Sequence, residues 1–278
     1  MQTIEPKITK TLQDEPLVIA GKTFTSRFLL GTGKFKNKKD LAETIEASGT
    51  QLVTVALRRI DLERHEENIL EYIPQDVVLM TNTSGARNAK EAVRIAHLVR
   101  EAGHGHWIKI EVINDSKYLL PDNAETIKAT EALVKEGFVV LPYIYPDLYV
   151  ARELLKVGAA TIMPLGSFIG SNQGLKTKEF IQVLIDEIDL PIVVDAGIGS
   201  PSQAAEAMEM GADAVLANTA VATAGHPALL AKAMSIAVAA GRLGYLSQLP
   251  TKKNSGNASS PLTGFLYKEK SGFEDSES

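Results

Sequence analysis

The chain of 278 residues contains no cysteine. That excludes a disulfide framework, a thiolate metal site and a cysteine nucleophile. It has no basic excess either: 29 Lys and Arg stand against 34 Asp and Glu, a formal charge of −5 with a pI near 5.6. A nucleic-acid binder usually carries the opposite balance. No run of about 18 apolar residues is evident, so no membrane span is expected. The opening MQTIEPKITKTLQDEP lacks the apolar stretch of a secretory signal, and the cytoplasm is the expected location. No GxGxxG turn follows an early strand, and no cluster has zinc or magnesium ligand spacing. No metal and no cofactor are therefore expected. What remains is ordinary for a globular chain: 45% hydrophobic and 23% charged residues, enough for one large domain or two small ones.

Short apolar runs recur, each followed by a helical pattern. Strands are predicted at 28–31, 51–57, 77–82, 107–113, 138–144, 160–166, 191–196 and 214–219. Helices are predicted at 38–48, 61–72, 88–102, 123–136, 147–157, 177–188, 200–210 and 226–243. Such alternation implies βαβ crossovers and a parallel sheet. Eight pairs in this length suit an α/β fold of the (β/α)8 TIM barrel type, with a doubly wound open sheet as the rival. Ser200-Pro201 and Asp122 are predicted helix caps, Asp122 with Glu125 as a capping-box variant. Gly103, Gly137, Gly158 and Gly211 suit helix C-termini. Residues 17–27 suggest a hairpin turning near Ala20-Gly21-Lys22 that covers the barrel bottom. The expected division is a flexible extension over 1–16, the barrel over 17–248 and a polar tail over 249–278.

In a barrel, chemistry sits at the C-terminal strand ends. Strand alternation in WIKIEV (107–112) puts Ile108, Ile110 and Val112 under the helices. Trp107, Lys109 and Glu111 then point inward. A buried lysine is either paired or employed. As a structural feature, Lys109–Glu111 would be an ion pair that holds strand register. As a functional one, Lys109 is an amine that forms an imine with a carbonyl, and Glu111 is a proton carrier. Desolvation lowers the lysine pKa while Glu111 raises it, and the sequence leaves the balance open.

Three further stretches converge on the same end. In PIVVDAGIGSP (191–201), Asp195 closes a strand, Gly197 and Gly199 permit close backbone approach, and the following helix N-terminus favours an anion. In AVLANTAVA (214–222), Asn218 and Thr219 follow the last strand. The loop MPLGSFIGSNQG (163–174) carries Gly166, Gly170 and Gly174. Weaker candidates are GTGK (31–34), which lacks the rest of a P-loop, Arg58-Arg59 as an anion clamp, TNTSG (81–85) as a strand end and helix cap, and His104-Gly-His106 as a metal pair. The histidines fall at the barrel bottom and read as structural.

These residues lie within longer stretches that identify a resemblance. GTGKF (31–35), TNTSGARNAKEAVRIAHL (81–98), WIKIEVI (107–113), YLLPDNAETIKA (118–129), MPLGSFIGSNQGL (163–175), VVDAGIGSPSQAAEAMEMGADAVLANTAVA (193–222) and AGRLGY (240–245) resemble the bacterial thiazole synthase family. The resemblance runs from about Leu17 to Tyr245 and returns at SSPLTGF in the tail. It implies a (β/α)8 barrel that makes the thiazole phosphate of thiamine from 1-deoxy-D-xylulose 5-phosphate and dehydroglycine (iminoacetate). Sulfur would come from a thiocarboxylated ubiquitin-like carrier protein. It also implies a Schiff base on Lys109 and acid–base roles for Glu111 and Asp195. Substrate contacts fall on Gly170, Ala196, Gly197, Asn218 and Thr219, and a homo-oligomer, dimer or tetramer, is implied. The first 16 residues and the bulky Tyr145, Leu148 and Tyr149 depart from the family pattern, as does Ala217. Two readings stand beside it: an aldolase-like Schiff-base lyase on another phosphosugar, and a phosphosugar-binding protein without catalysis.

Overall fold

The computed structural model describes residues 14–56, 69–251, 253–256 and 259. It opens with a hairpin, β1 (Leu17–Ile19) and β2 (Lys22–Phe24), paired antiparallel. The turn residues Ala20 and Gly21 both have positive φ, 47° and 77°, as a two-residue hairpin turn of the primed kind requires. Leu17, Ile19 and Phe24 are buried against Leu29, Leu52, Met80, Leu141 and Val193. The hairpin is thus the apolar floor of the barrel, as expected.

The barrel strands are β3 (Phe28–Gly31), β4 (Leu52–Ala56), β5 (Val78–Asn82), β6 (Trp107–Ile110), β7 (Val139–Ile144), β8 (Met163–Pro164), β9 (Val193–Asp195) and β10 (Ala214–Ala217). They form one parallel sheet in the order β8-β7-β6-β5-β4-β3-β10-β9. Single bridges Ile162↔Ile192 and Leu165↔Asp195 join its two edges, so the sheet closes and the open-sheet rival falls. The closure is thin because Pro164 has no N–H to give the ladder. That is why the strand predicted over 160–166 shrinks to two residues flanked by bridges.

Helices cover the strands: α1 (Lys38–Ser48), α2 (Ala89–Glu101), α3 (Asn123–Lys135), α4 (Leu148–Lys156), α5 (Lys178–Glu187), α6 (Pro201–Glu209), a short α7 (Thr219–Ala222) and α8 (Pro227–Leu246). Strand alternation partitions the core. Ile108, Ile110, Val112 and Val140 pack outward on Ala92, Ala96, Ala129 and Leu133 of α2 and α3. Leu141 and Met163 pack inward on the floor. Asn37, Asn88, Asp122 and Asp147 each accept a backbone N–H three residues on, satisfying one orphan donor per helix. Gly103, Gly137, Gly158 and Gly211 all take left-handed φ after helix ends.

Several expectations need correction. Glu125 does not close a capping box with Asp122; it accepts from the Ala89 N–H of the neighbouring helix at 2.8 Å. Ser200 occupies the cap position before Pro201, but its side chain caps nothing and meets Ser202 instead. The last strand stops at Ala217 rather than Thr219, because Asn218 leaves extended geometry and Thr219 starts α7. Of the helix predicted over 61–72, the described part is a single 3-10 turn, Ile69–Tyr72; residues 61–68 and Arg58-Arg59 lie outside the described residues. α8 is, by length and composition, apolar enough to cross a membrane (mean hydropathy 1.3), unlike the expectation. It is alanine-rich, and it lies in the helical layer against α1 and α6 with Ala231, Met234 and Val238 buried.

Asp14 ties the first described residues to the barrel. It accepts hydrogen bonds from the buried Arg27 at 3.0 and 3.2 Å and from Arg242 at 2.9 Å. Burial pushes its carboxyl pKa up, but the two arginines outweigh burial and hold it below the usual value. A depressed carboxylate contributes stability above the ordinary aspartate range, lost as pH falls through the folded value. Asp14→Asn is expected to lower stability by about 1 kcal/mol at pH 7, after discounting for partial exposure. Urea titrations of the two proteins should converge as the pH is taken from about 5 to about 3; a deficit independent of pH would contradict the ion-pair account.

Candidate active site

The inward alternation that builds the floor continues upward into polar residues. In β6, Trp107 belongs to the floor and Lys109 sits one level above it. Glu111 follows beyond the last regular strand residue. Lys109, Glu111 and Asp195 are 4%, 9% and 4% exposed. The Lys109 Nζ lies 3.1 Å from Glu111 Oε1 and in direct contact with Asp195 Oδ2. Asp195 reaches it from the end of β9, which is separated from β6 by β7 and β8 in the closed sheet. The two sequence motifs that looked independent therefore share one ammonium.

Two carboxylates share one ammonium, and burial competes with their mutual electrostatics. Burial pulls the Lys109 pKa down; Asp195 and then Glu111 outweigh it, so the amine is held above its ordinary value. Burial pushes the Asp195 carboxyl up; Lys109 opposes this, Glu111 adds to it, and the net is a rise. The question the sequence left open is answered against a desolvated free amine: at rest Lys109 is charged.

A cavity opens above this cluster. Its walls include Lys109, Glu111, Asp195, Gly170, Ala196, Gly197, Asn218 and Thr219, so the residues the resemblance assigned to catalysis and substrate contact line one space. The walls also include Thr54, Asn82, Tyr143, Ile169 and Asn172, which were not singled out as site residues. Thr54, Asn82 and Tyr143 are inward-facing residues near the C-terminal ends of β4, β5 and β7. Strand alternation carried to every strand end would have found them. A wider cleft shares Thr54, Asn82, Glu111, Asn218 and Thr219 with the cavity and extends past Lys34 and Arg87.

The glycine loops have distinct duties. Gly197 has φ +80°, and a Cβ there would fall 1.9 Å from Ser167 Oγ. Only glycine lets the loop after β8 lie against the loop after β9. Ala196, just before it, also has positive φ, 66°, a strained choice for a residue with a Cβ. Gly199 does not line the cavity: its N–H donates to Gln203 Oε1 at 2.7 Å, and it packs on Asn172. The GTGK loop is no phosphate cradle of the P-loop kind; Gly31 and Gly33 make room for the Asn218 side chain. Lys34 of that loop brings its Nζ within 3.2 Å of where a Gly170 Cβ would sit, beside Thr219 Oγ1. This cation at the cavity rim was not foreseen. His104 and His106 stay at the barrel bottom, and no group of His, Asp or Glu among the described residues has metal-site geometry.

A family profile described as thiazole biosynthesis protein ThiG matches residues 18–261. A thiazole synthase of Pelotomaculum thermopropionicum is 63% identical over 253 residues, 91% of this chain and 99% of that one. One from Acetivibrio thermocellus is 62% identical over the same share of each. Among solved structures, the Amycolatopsis orientalis BexX/CysO complex contains a chain 33% identical to this one. It superposes with a TM-score of 0.77, covering 87% of this chain and all of that one.

Thr83 holds the end of β6 in place. Its Oγ1 donates to the Glu111 carbonyl and accepts the Glu111 N–H, both at 2.9 Å and fully buried. Thr83→Val keeps the shape but strips two buried backbone groups of their partner. A loss of about 2 kcal/mol in chemical unfolding is expected; an unchanged midpoint would show that Glu111 is held by other means.

Proposed function

The chain belongs to the thiazole biosynthesis protein ThiG family, the thiazole synthases of thiamine biosynthesis, and on that premise we propose how its own residues perform the reaction. The substrate is 1-deoxy-D-xylulose 5-phosphate, bound with its ketone over Lys109 and its phosphate toward Gly170, Gly197, Asn218 and Thr219. The observation that carries the reading is the position of Lys109: an ammonium between two carboxylates, on the floor of a cavity whose rim is glycine backbone, hydroxyl and the Lys34 cation. Loops after the last two barrel strands, with a short helix such as α7, are a common phosphate site of this architecture. The cation and the glycine amides favour an anion there, and anchoring the phosphate orients the ketone.

Proton transfer from Lys109 to Asp195 or Glu111 frees the amine, which attacks the ketone carbon. Loss of water leaves a protonated imine, and its positive nitrogen acidifies the neighbouring carbon. A carboxylate of the pair moves that proton and shifts the carbonyl along the sugar. Sulfur then arrives as the thiocarboxylate of a ubiquitin-like carrier protein, dehydroglycine supplies nitrogen, and ring closure releases both lysine and carrier. A donor on another chain suits a protein with no cysteine of its own. The BexX/CysO complex, in which a relative is held with a second protein, supports a protein partner. We place the protein in the cytoplasm as a homo-oligomer, a tetramer by family likeness.

Borohydride added to the protein with labelled sugar phosphate is expected to fix the label on Lys109, read by peptide mapping. Label elsewhere, or none, would sink the imine. Lys109→Ala should abolish thiazole phosphate formation, and with the ammonium gone the Asp195 carboxyl pKa should rise further. Lys34→Ala should weaken sugar-phosphate binding several-fold, on the order of 1 kcal/mol for one exposed cation. Equal affinity in a direct binding titration would remove Lys34 from the phosphate site. Carbon–carbon cleavage without a carrier would instead identify a lyase.

A further inference from the structure

Tyr143 lines the cavity, and no role above uses it. In VVLPYI the residues Val139, Leu141 and Tyr143 share the inward face of β7, with Leu141 in the floor and Tyr143 above it. Ile110 pairs with Pro142, so the next level sets Tyr143 beside Glu111. The Lys109 Nζ stands 5.3 Å from the centre of the Tyr143 ring. The residue is 1% exposed, yet its hydroxyl finds no hydrogen-bond partner among the described residues. A tyrosine hydroxyl buried for packing alone normally has such a partner. Phenylalanine would fill the same volume without the penalty of an unmatched polar atom.

We propose that the Tyr143 phenol is a catalytic hydrogen-bond donor to the substrate oxygen on the carbon that Lys109 attacks. The inference rests on the imine reading of Lys109. As the Nζ lone pair forms the carbon–nitrogen bond, the carbonyl π pair moves onto oxygen. The oxygen then takes the proton that Lys109 passed to a carboxylate, and a second proton, from the new nitrogen by the same route, lets it leave as water while the carbon–nitrogen double bond forms. The balance is ketone plus ammonium giving protonated imine plus water, and the phenol keeps its own proton throughout. The developing negative charge appears in a site that already holds Glu111 and Asp195, so a neutral donor is what it needs. The Asn82 amide is engaged with Thr54 Oγ1 at 3.2 Å, and Asn218 stands on the opposite wall against Gly31 and Gly33. The unpartnered phenol O–H is the donor this proposal assigns to the reacting oxygen. Burial, with Asp195 and Glu111 adding to it, holds the Tyr143 pKa well above its ordinary value, which keeps that proton on the oxygen.

The test is Tyr143→Phe in the full-length protein, with three measurements: thermal midpoint, equilibrium affinity for the sugar phosphate, and the rate of borohydride-trapped adduct. The expected result is a midpoint unchanged or raised, near-unchanged affinity, and trapping slower by about 100-fold, the usual effect of losing one such donor. Wild-type trapping with an equally fast Tyr143→Phe protein overturns the role of Tyr143 and leaves the imine standing. A lowered midpoint with affinity and trapping reduced together shows a packing role and also overturns it. Absence of adduct in the wild type removes the imine, and this proposal with it.

Discussion

The contact on which the site depends is a single ammonium shared by two carboxylates in the interior of the barrel. Lys109 and Glu111 come from one strand end, Asp195 from the end of β9. Neither carboxylate is affordable there alone, and neither is the lysine, since an isolated buried charge is strongly disfavoured. Asp195 and Glu111 together outweigh burial and hold the lysine pKa above its ordinary value.

Holding those atoms in contact makes demands on the backbone around them. Thr83 bonds both backbone groups of Glu111 just where regular pairing of β6 ends. Gly197 lets the loops after β8 and β9 touch, and Ala196 accepts a left-handed conformation to turn the chain beside Asp195. Gly31 and Gly33 leave space for Asn218. Gly31, Gly33, Gly197 and Gly199 are therefore steric devices that allow the loops to converge, and among the described glycines Gly170 and Gly197 line the cavity. The strain at Ala196 is the kind that a tightly packed surround sustains at a functional site.

Much of this was legible beforehand. The eight strands, the hairpin floor and the inward direction of Lys109 and Glu111 all follow from periodicity, which is a local property. The long matching stretches identified the family. Errors came where a contact from elsewhere overrides the local pattern. Glu125 had capping-box spacing but caps α2, because α3 lies beside that helix's first turn. Gly199 looked free to meet a ligand but is taken up by Gln203 and Asn172. Lys34 and Tyr143 were passed over, since a lysine in an incomplete P-loop and a tyrosine in a strand carry no signal of their own.

The sequence by itself determined the barrel, its register of inward residues and the presence of a lysine that had to be paired or used. Alternation and helical period are set by neighbours along the chain, and those are written in order. Which charges meet Lys109, which way its proton balance falls and which hydroxyl is left without a partner were decided only by the closed barrel. Those quantities depend on distances between strand ends 86 residues apart, as Lys109 and Asp195 are, and on the removal of water from between them.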